Sequence, residues 1–163
     1  MTYETVFSTP VGPLVASADD RGLTQLSFAR HGRTRFDSAN AEPRNTVLSA
    51  VEAQIGEYFA GKRKVFDVPL HLEGPEFHVL VWNALREIAY GETLSYGALA
   101  RRIGEPDAAR AVGTANGANP IVIIVPCHRV IGADGKLVGY GGGLKRKRML
   151  LDLEAGRLAL AMV

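Results

Sequence analysis

Apolar and polar residues alternate with a period of two through the first thirty positions, in YETVFST, GPLVASA and GLTQLSF. Side chains two apart share a strand face, so each run can bury one face and wet the other. The breaks between them, TPVGP and DDRG, carry turn residues. This predicts three short antiparallel strands. Residues 30–44 are polar, arginine-rich and aperiodic, and predict a loop. From about 46 to 60 the period lengthens: Val47, Val51, Ile55 and Phe59 recur every four residues, a helical face stopped at Gly61. FDVPLHLEG, residues 66–74, adds one extended segment.

Beyond Pro75, the stripe Phe77, Leu80, Val81, Leu85 and Ile88 predicts a helix that ends before AYGET. Ser95 is placed to cap a helix over YGALARRIG, stopped by Gly104, and Pro106 and Asp107 to start another over AARAVGTANGAN. Two short helices joined by such a turn form a helix-turn-helix pattern. The second of them is almost all small residues, which suits close backbone approach to another surface or tight helix packing. The run IVIIVPCHRV follows at 121–130, then a hairpin turn at 133–136, a glycine cluster at 139–143 and a last helix over about 144–154. The glycine cluster lacks the spacing of a phosphate-binding loop. The fold class is α+β. A small N-terminal lobe (1–74) holds a short antiparallel sheet plus a helix, and a mainly helical C-terminal domain (75–163) holds the helix-turn-helix and the cysteine.

With 163 residues, 47% hydrophobic and 22% charged, the chain has material for a real core. No apolar run approaches the ~20 residues that span a bilayer. The N-terminus lacks the basic and apolar regions of a secretory signal, so a cytoplasmic protein with no membrane partner is expected. A lone cysteine forms no internal disulfide and no multi-thiolate zinc site, and His31, His71, His78 and His128 lack zinc-ligand spacing. No metal and no cofactor are expected. The net charge is only +2, but its distribution is uneven: nine Lys/Arg face twelve Asp/Glu up to Ser95, then nine face three from Tyr96 to Arg148. The basic second half hints at a polyanion. Its densest cluster, 145–148, reads equally as a solvated helix face or as DNA contacts from Arg146 and Arg148.

Cys127 is either a small buried hydrophobe or a reactive thiol. An unperturbed thiol is only a few per cent thiolate at neutral pH, so reaction requires activation. His128 is its neighbour, although adjacent residues on an extended chain diverge, so contact needs a turn or a bridging water. Pro126 favours such a turn. Asn119 is placed to hold the segment and Glu154 to orient the imidazole, which gives a Cys-His-Glu relay.

The residues ANP at 118–120, PCHRVI at 126–131, GYGGG at 139–143 and the helix ending in Glu154 closely resemble the O6-alkylguanine-DNA alkyltransferases. The resemblance runs from 77 to 154, through FHVLVWNAL, IAYGETLSYGALARRIG and ARAVG. It implies a single-use DNA repair protein that binds duplex DNA through the minor groove and flips out the damaged nucleotide. The alkyl group of O6-alkylguanine then moves irreversibly to Cys127. By that resemblance His128 is the base, acting through a water, Glu154 orients it, Asn119 braces the turn, and Tyr96 donates to guanine N3. Arg110 fills the vacated stack, with Ala111, Gly113, Thr114 and Tyr96 also at the DNA. Tyr140, Gly141, Val130 and Pro126 line the substrate pocket. Gly141 stands where the family often has serine, so a backbone N–H must serve there, and the cysteine ligands of zinc-bearing members are missing. Trp82 is expected in the core, and Arg129 to pair with a carboxylate. The free protein is expected to be a monomer, with assembly of several copies along DNA left open.

Two other classes fit parts of the pattern. A non-reactive lesion binder or a helix-turn-helix regulator would have no use for the cysteine, and a turnover cysteine amidase would require an oxyanion hole.

Overall fold

The period-two segments pair as antiparallel strands β1 (Tyr3–Phe7), β2 (Leu14–Ala18) and β3 (Leu23–Phe28), with β2 central. Val6 lies opposite Val15 and Phe7 opposite Leu14. The computed structural model describes residues 1–29 and 45–157, so the loop expected over 30–44 lies outside the described residues. In the β2–β3 turn, Asp19 Oδ1 accepts from the N–H groups of Arg21 (2.8 Å) and Gly22 (3.1 Å). A Cβ on Gly22 would stand 2.6 Å from the Pro69 carbonyl oxygen. Glycine there lets the 69–71 segment pair with Leu23, whose N–H donates to Pro69 O (2.9 Å) and whose carbonyl accepts from His71 N (2.8 Å). The expected extended segment is thus one parallel bridge to β3. His71 also ties to Asp19 through its ring.

Helix α1 (Thr46–Phe59) opens on Asn45, whose side chain accepts from Leu48 N at 2.8 Å, a cap worth about 1 kcal/mol. Its buried stripe is Leu48, Val51, Ile55, Tyr58 and Phe59. Val47, expected inside, is half-exposed, because the tyrosine and Leu48 rotate the apolar face by one position. These residues pack with Leu14, Leu23 and Leu26 as the core of a first compact unit ending at Leu72.

A second compact unit spans Glu73–Arg157. Helices α2 (Glu76–Leu85), α3 (Tyr96–Arg102) and α4 (Ala109–Gly117) pack on one another through Val81, Leu85, Leu99, Ala100, Val112 and Ala115. Trp82 is buried, and its indole N–H donates to Ala115 O at 2.8 Å. Leu80, read as core, is 47% exposed: Trp82 takes its place on the inner face. Ser95 Oγ caps α3 from Ala98 N, and Gly104 stops it at φ +79°. Pro106 and Asp107 lie in the turn, and α4 starts at Ala109, one residue into the stretch expected to be helical.

The turn at 133–136 forms, with Gly132 N donating to Lys136 O and Gly135 N to Gly132 O. It joins no hairpin. The strand before it, β5 (Val130–Ile131), pairs in parallel with β4 (Leu94–Ser95). Helix α5 (Leu144–Glu154) closes the unit.

Candidate active site

The apolar run before the cysteine is not extended. Asn119 Oδ1 accepts from Ile121 N (3.0 Å) and its Nδ2 donates to Val125 O (2.8 Å), so one side chain clamps both ends of the segment. Between them Ile124 N donates to Val122 O at 2.7 Å across Ile123, whose φ is +70°. That is a γ-turn through a conformation β-branched residues rarely adopt, at a cost of about 1–3 kcal/mol. Burial of Ile121, Ile123 and Val125 offsets it. Cys127 N then donates to Val125 O across Pro126, and Cys127–Arg129 form one 3-10 turn.

That turn sends three consecutive side chains inward: Cys127 is 5% exposed, His128 0% and Arg129 5%. His128 Nε2 meets Glu154 Oε2 at 2.7 Å. Arg129 grips the same carboxylate twice, Nε to Oε1 at 2.7 Å and Nη2 to Oε2 at 3.0 Å, while its Nη1 donates to Ile88 O at 2.7 Å. Burial alone would raise the Glu154 pKa, but His128 and Arg129 overcome it and hold the carboxyl at about 2. Burial pushes the His128 imidazole below 6.5, although Glu154 opposes the shift, so the ring is neutral at pH 7. An ionised carboxylate only accepts, which puts the imidazole proton on Nε2 and leaves Nδ1 with its lone pair. Nδ1 is buried and has no hydrogen-bond partner among the described residues. Burial also raises the Cys127 thiol pKa, opposed by Asn119 and by the positive charge of Lys147. The thiol is protonated at rest and must lose its proton to react.

Lys147 and Asn116 were not singled out from the sequence. Lys147, inside the basic cluster at 145–148, is fully buried, and its ammonium donates to Val130 O (2.6 Å), Val138 O (2.9 Å) and Gly139 O (3.2 Å). The cluster is therefore not one solvated face. The signal was present: Lys147, Leu150, Leu151 and Glu154 share the inner face of α5 at helical spacing. Asn116 shares the buried face of α4 with Val112 and Ala115 and donates to Cys127 O at 3.4 Å.

Other expected site residues lie as follows. The Tyr96 hydroxyl donates to Val138 O at 3.1 Å, and its ring lies within 4 Å of where a Gly113 Cβ would be. Burial raises the pKa of Tyr96 and lifts that of Tyr140 well above 10, and Cys127 is near enough to raise both further. Arg110, Ala111 and Thr114 lie exposed on α4, Gly113 is half-buried, and Thr114 Oγ1 donates back to Arg110 O. Pro126 and Val130 are buried, and Gly141 is exposed. A cavity of about 280 Å³, lined in part by Gly91, Thr93, Ile131, Leu151 and Glu154, touches the relay only at Glu154. None of Cys127, Pro126, Val130, Tyr140 or Gly141 lines it.

Two family models cover this chain. Residues 76–156 match the DNA binding domain of 6-O-methylguanine DNA methyltransferase, and residues 2–72 its ribonuclease-like domain. The chain is 49% identical over 153 residues to the methylated-DNA–protein-cysteine methyltransferase of Methanosarcina acetivorans, covering 93% of this chain and 97% of that protein. The chain belongs to the methylated-DNA–protein-cysteine methyltransferase family. Its relative from Mycobacterium bovis is 51% identical over 159 residues, covering 95% of this chain and 93% of the other. Among solved structures, the Mycobacterium tuberculosis OGT in complex with DNA superposes with a TM-score of 0.84 at 50% identity, covering 93% of this chain and 92% of that one. An O6-methylguanine DNA methyltransferase from Methanococcus jannaschii superposes with a TM-score of 0.65 at 28% identity over 93% and 92%. Membership of this methyltransferase family separates the chain from the cysteine amidases considered above.

Proposed function

We propose that this protein repairs O6-alkylguanine in duplex DNA by moving the alkyl group to its own Cys127, once per molecule. The observation that carries the reading is the relay itself: the chain's sole cysteine sits in one 3-10 turn with a neutral His128 whose Nε2–H is fixed on ionised Glu154. In the reaction the thiol proton passes to His128 Nδ1 through a water. Sulfur bonds the alkyl carbon as the carbon–O6 bond breaks, and that electron pair stays with the guanine. The base takes up one proton in return, aided by the Tyr96 hydroxyl, so the products are a thioether and ordinary guanine. A donor aimed at developing charge in a water-poor site is worth more than in bulk solvent. Tyr96 must first release Val138 O to act in this way.

Further roles belong to the same proposal. Asn119 braces the acceptor turn, and Tyr140, Gly141, Val130 and Pro126 form the walls that receive the flipped base. The exposed face of α4 meets the minor groove, which is only roughly 6 Å wide and suits a helix of small residues. The same transfer extends to O4-alkylthymine in this scheme. The protein works in the cytoplasm as a monomer until it meets DNA.

The test is intact mass after incubation with an O6-methylguanine duplex. Native protein should gain a single methyl group, Cys127→Ser none, and repeated turnover or an unmodified native mass would reject the proposal. Arg110, exposed on α4, is assigned to the gap left by the flipped nucleotide. Extrusion costs a few kcal/mol, part of which an inserted side chain offsets. Arg110→Ala should therefore slow repair of duplex DNA about 10-fold or more while sparing reaction with free O6-methylguanine base. Equal losses on both would remove that role.

A further inference from the structure

The turn that follows α2 closes over the buried ion pair of the relay at three points. Ile88 O accepts from Arg129 Nη1 at 2.7 Å. The Tyr90 ring lies against the same guanidinium, with Arg129 Cζ 5.8 Å from the ring centroid. Gly91, at φ +82°, runs so close to the end of α5 that a Cβ there would stand 3.5 Å from the Glu154 carbonyl oxygen. A guanidinium within about 6 Å of a ring centroid is attracted by the ring's quadrupole, and more strongly where water is excluded. Arg129 is buried while Tyr90 is half-buried, which places the ring between the guanidinium and solvent. Burial raises the Tyr90 pKa and the charge on Glu154 raises it further, so the phenol lies within the field of the carboxylate.

Resting on the function proposed above, we infer that Tyr90 is a positioning residue for alkyl transfer: its ring holds the Arg129 guanidinium on Glu154, so that the carboxylate orients His128 without drawing a proton onto it. His128 is faced by Glu154 and Lys147 from α5 and by Arg129 from its own turn, and Glu154 is faced in addition by Tyr90 and Tyr140. Glu154 favours the imidazolium, whereas Arg129 and Lys147 oppose it. A carboxylate beside a histidine ordinarily makes the ring more basic. Here the arginine bound twice to Glu154 balances that charge, and an imidazolium could not accept the thiol proton. Without the aromatic cover Arg129 turns toward water and loosens its grip. The imidazole then loses a nearby cation and meets a freer carboxylate, and both changes raise its pKa.

Two measurements test this on native protein, Tyr90→Phe, Tyr90→Leu and Tyr90→Ala: the His128 titration followed by NMR, and the pH profile of single-turnover methyl transfer. Tyr90→Phe keeps the ring face and should match native protein in both. The leucine and alanine variants should titrate His128 at higher pH and carry the acid limb of the rate profile with it. Their rates at pH 6 should fall about 5-fold further than their rates at pH 8. A merely structural loss lowers the active fraction equally at every pH and leaves the limb in place, and either variant suffices if the other fails to fold. Leucine or alanine variants with the native His128 midpoint, or a phenylalanine variant shifted as far as they are, overturns the inference. The titration needs no substrate. Failure of native protein to take up methyl from O6-methylguanine DNA therefore sinks the functional reading, while the His128 midpoints still decide whether Tyr90 holds the pair.

Discussion

Glu154→Gln should cost about 3–5 kcal/mol of stability and nearly abolish methyl transfer, measured by denaturant unfolding and by single-turnover assay. The amide nearly preserves the shape of the side chain but removes its charge. Arg129, 5% exposed and bound twice to that carboxylate, becomes a buried cation without a counter-ion. His128 also loses the acceptor that fixes its proton on Nε2, so Nδ1 is no longer reserved as the base. The pH dependence has a definite sign. Glu154 is held at about 2 against an ordinary value of 4.5, so its contribution is complete above pH 4.5 and drains away as pH falls through 2. That difference corresponds to about 3 kcal/mol, in line with the mutational figure. His128 is depressed below 6.5, so it too stabilises at higher pH, and its share fades as pH falls below 6.5. Native protein should weaken in both windows, whereas Glu154→Gln should lack the lower one. A variant that matches native stability at pH 7 would show the buried carboxylate to be dispensable.

The sequence made the His128–Glu154 contact legible. Cysteine and histidine are adjacent, and Glu154 ends a helix whose inner face is marked by Leu150 and Leu151. The three strands and the α1 stop at Gly61 were equally legible, since period and turn residues agree there. The segment 121–125 was not. Asn119 was placed to hold it, as its two hydrogen bonds do, but nothing in the pattern marks the turn they enclose: β-branched residues favour extended backbone, and the left-handed Ile123 is held there by burial. Lys147 and Asn116 were missed because a polar residue on an apolar face is ordinarily taken to point outward. Whether it can be buried depends on carbonyls that only the folded chain assembles.

Lys147→Met is expected to lower stability by about 3 kcal/mol and to slow transfer to duplex and free-base substrates alike. Methionine retains the apolar stem, so the change isolates the ammonium. Burial lowers the Lys147 pKa from 10.5, and the negative charge that forms on Cys127 pulls it back up. Its three acceptors come from two places, Val130 at the end of the acceptor turn and Val138–Gly139 in the following loop, so one cation stitches that loop to the cysteine segment. Without it the Val130 and Gly139 carbonyls lose a charged partner, and Val138 O keeps the Tyr96 hydroxyl, which the proposed reaction requires free. The thiol suffers as well, since Lys147 is one of the groups that oppose the rise in its pKa. Lys147→Arg should not rescue the loss, because a planar guanidinium cannot direct three donors from a single atom. The effect on free base separates this variant from Arg110→Ala, which should act on duplex alone. A methionine variant that unfolds and reacts like native protein would show that the three contacts carry no net stabilisation.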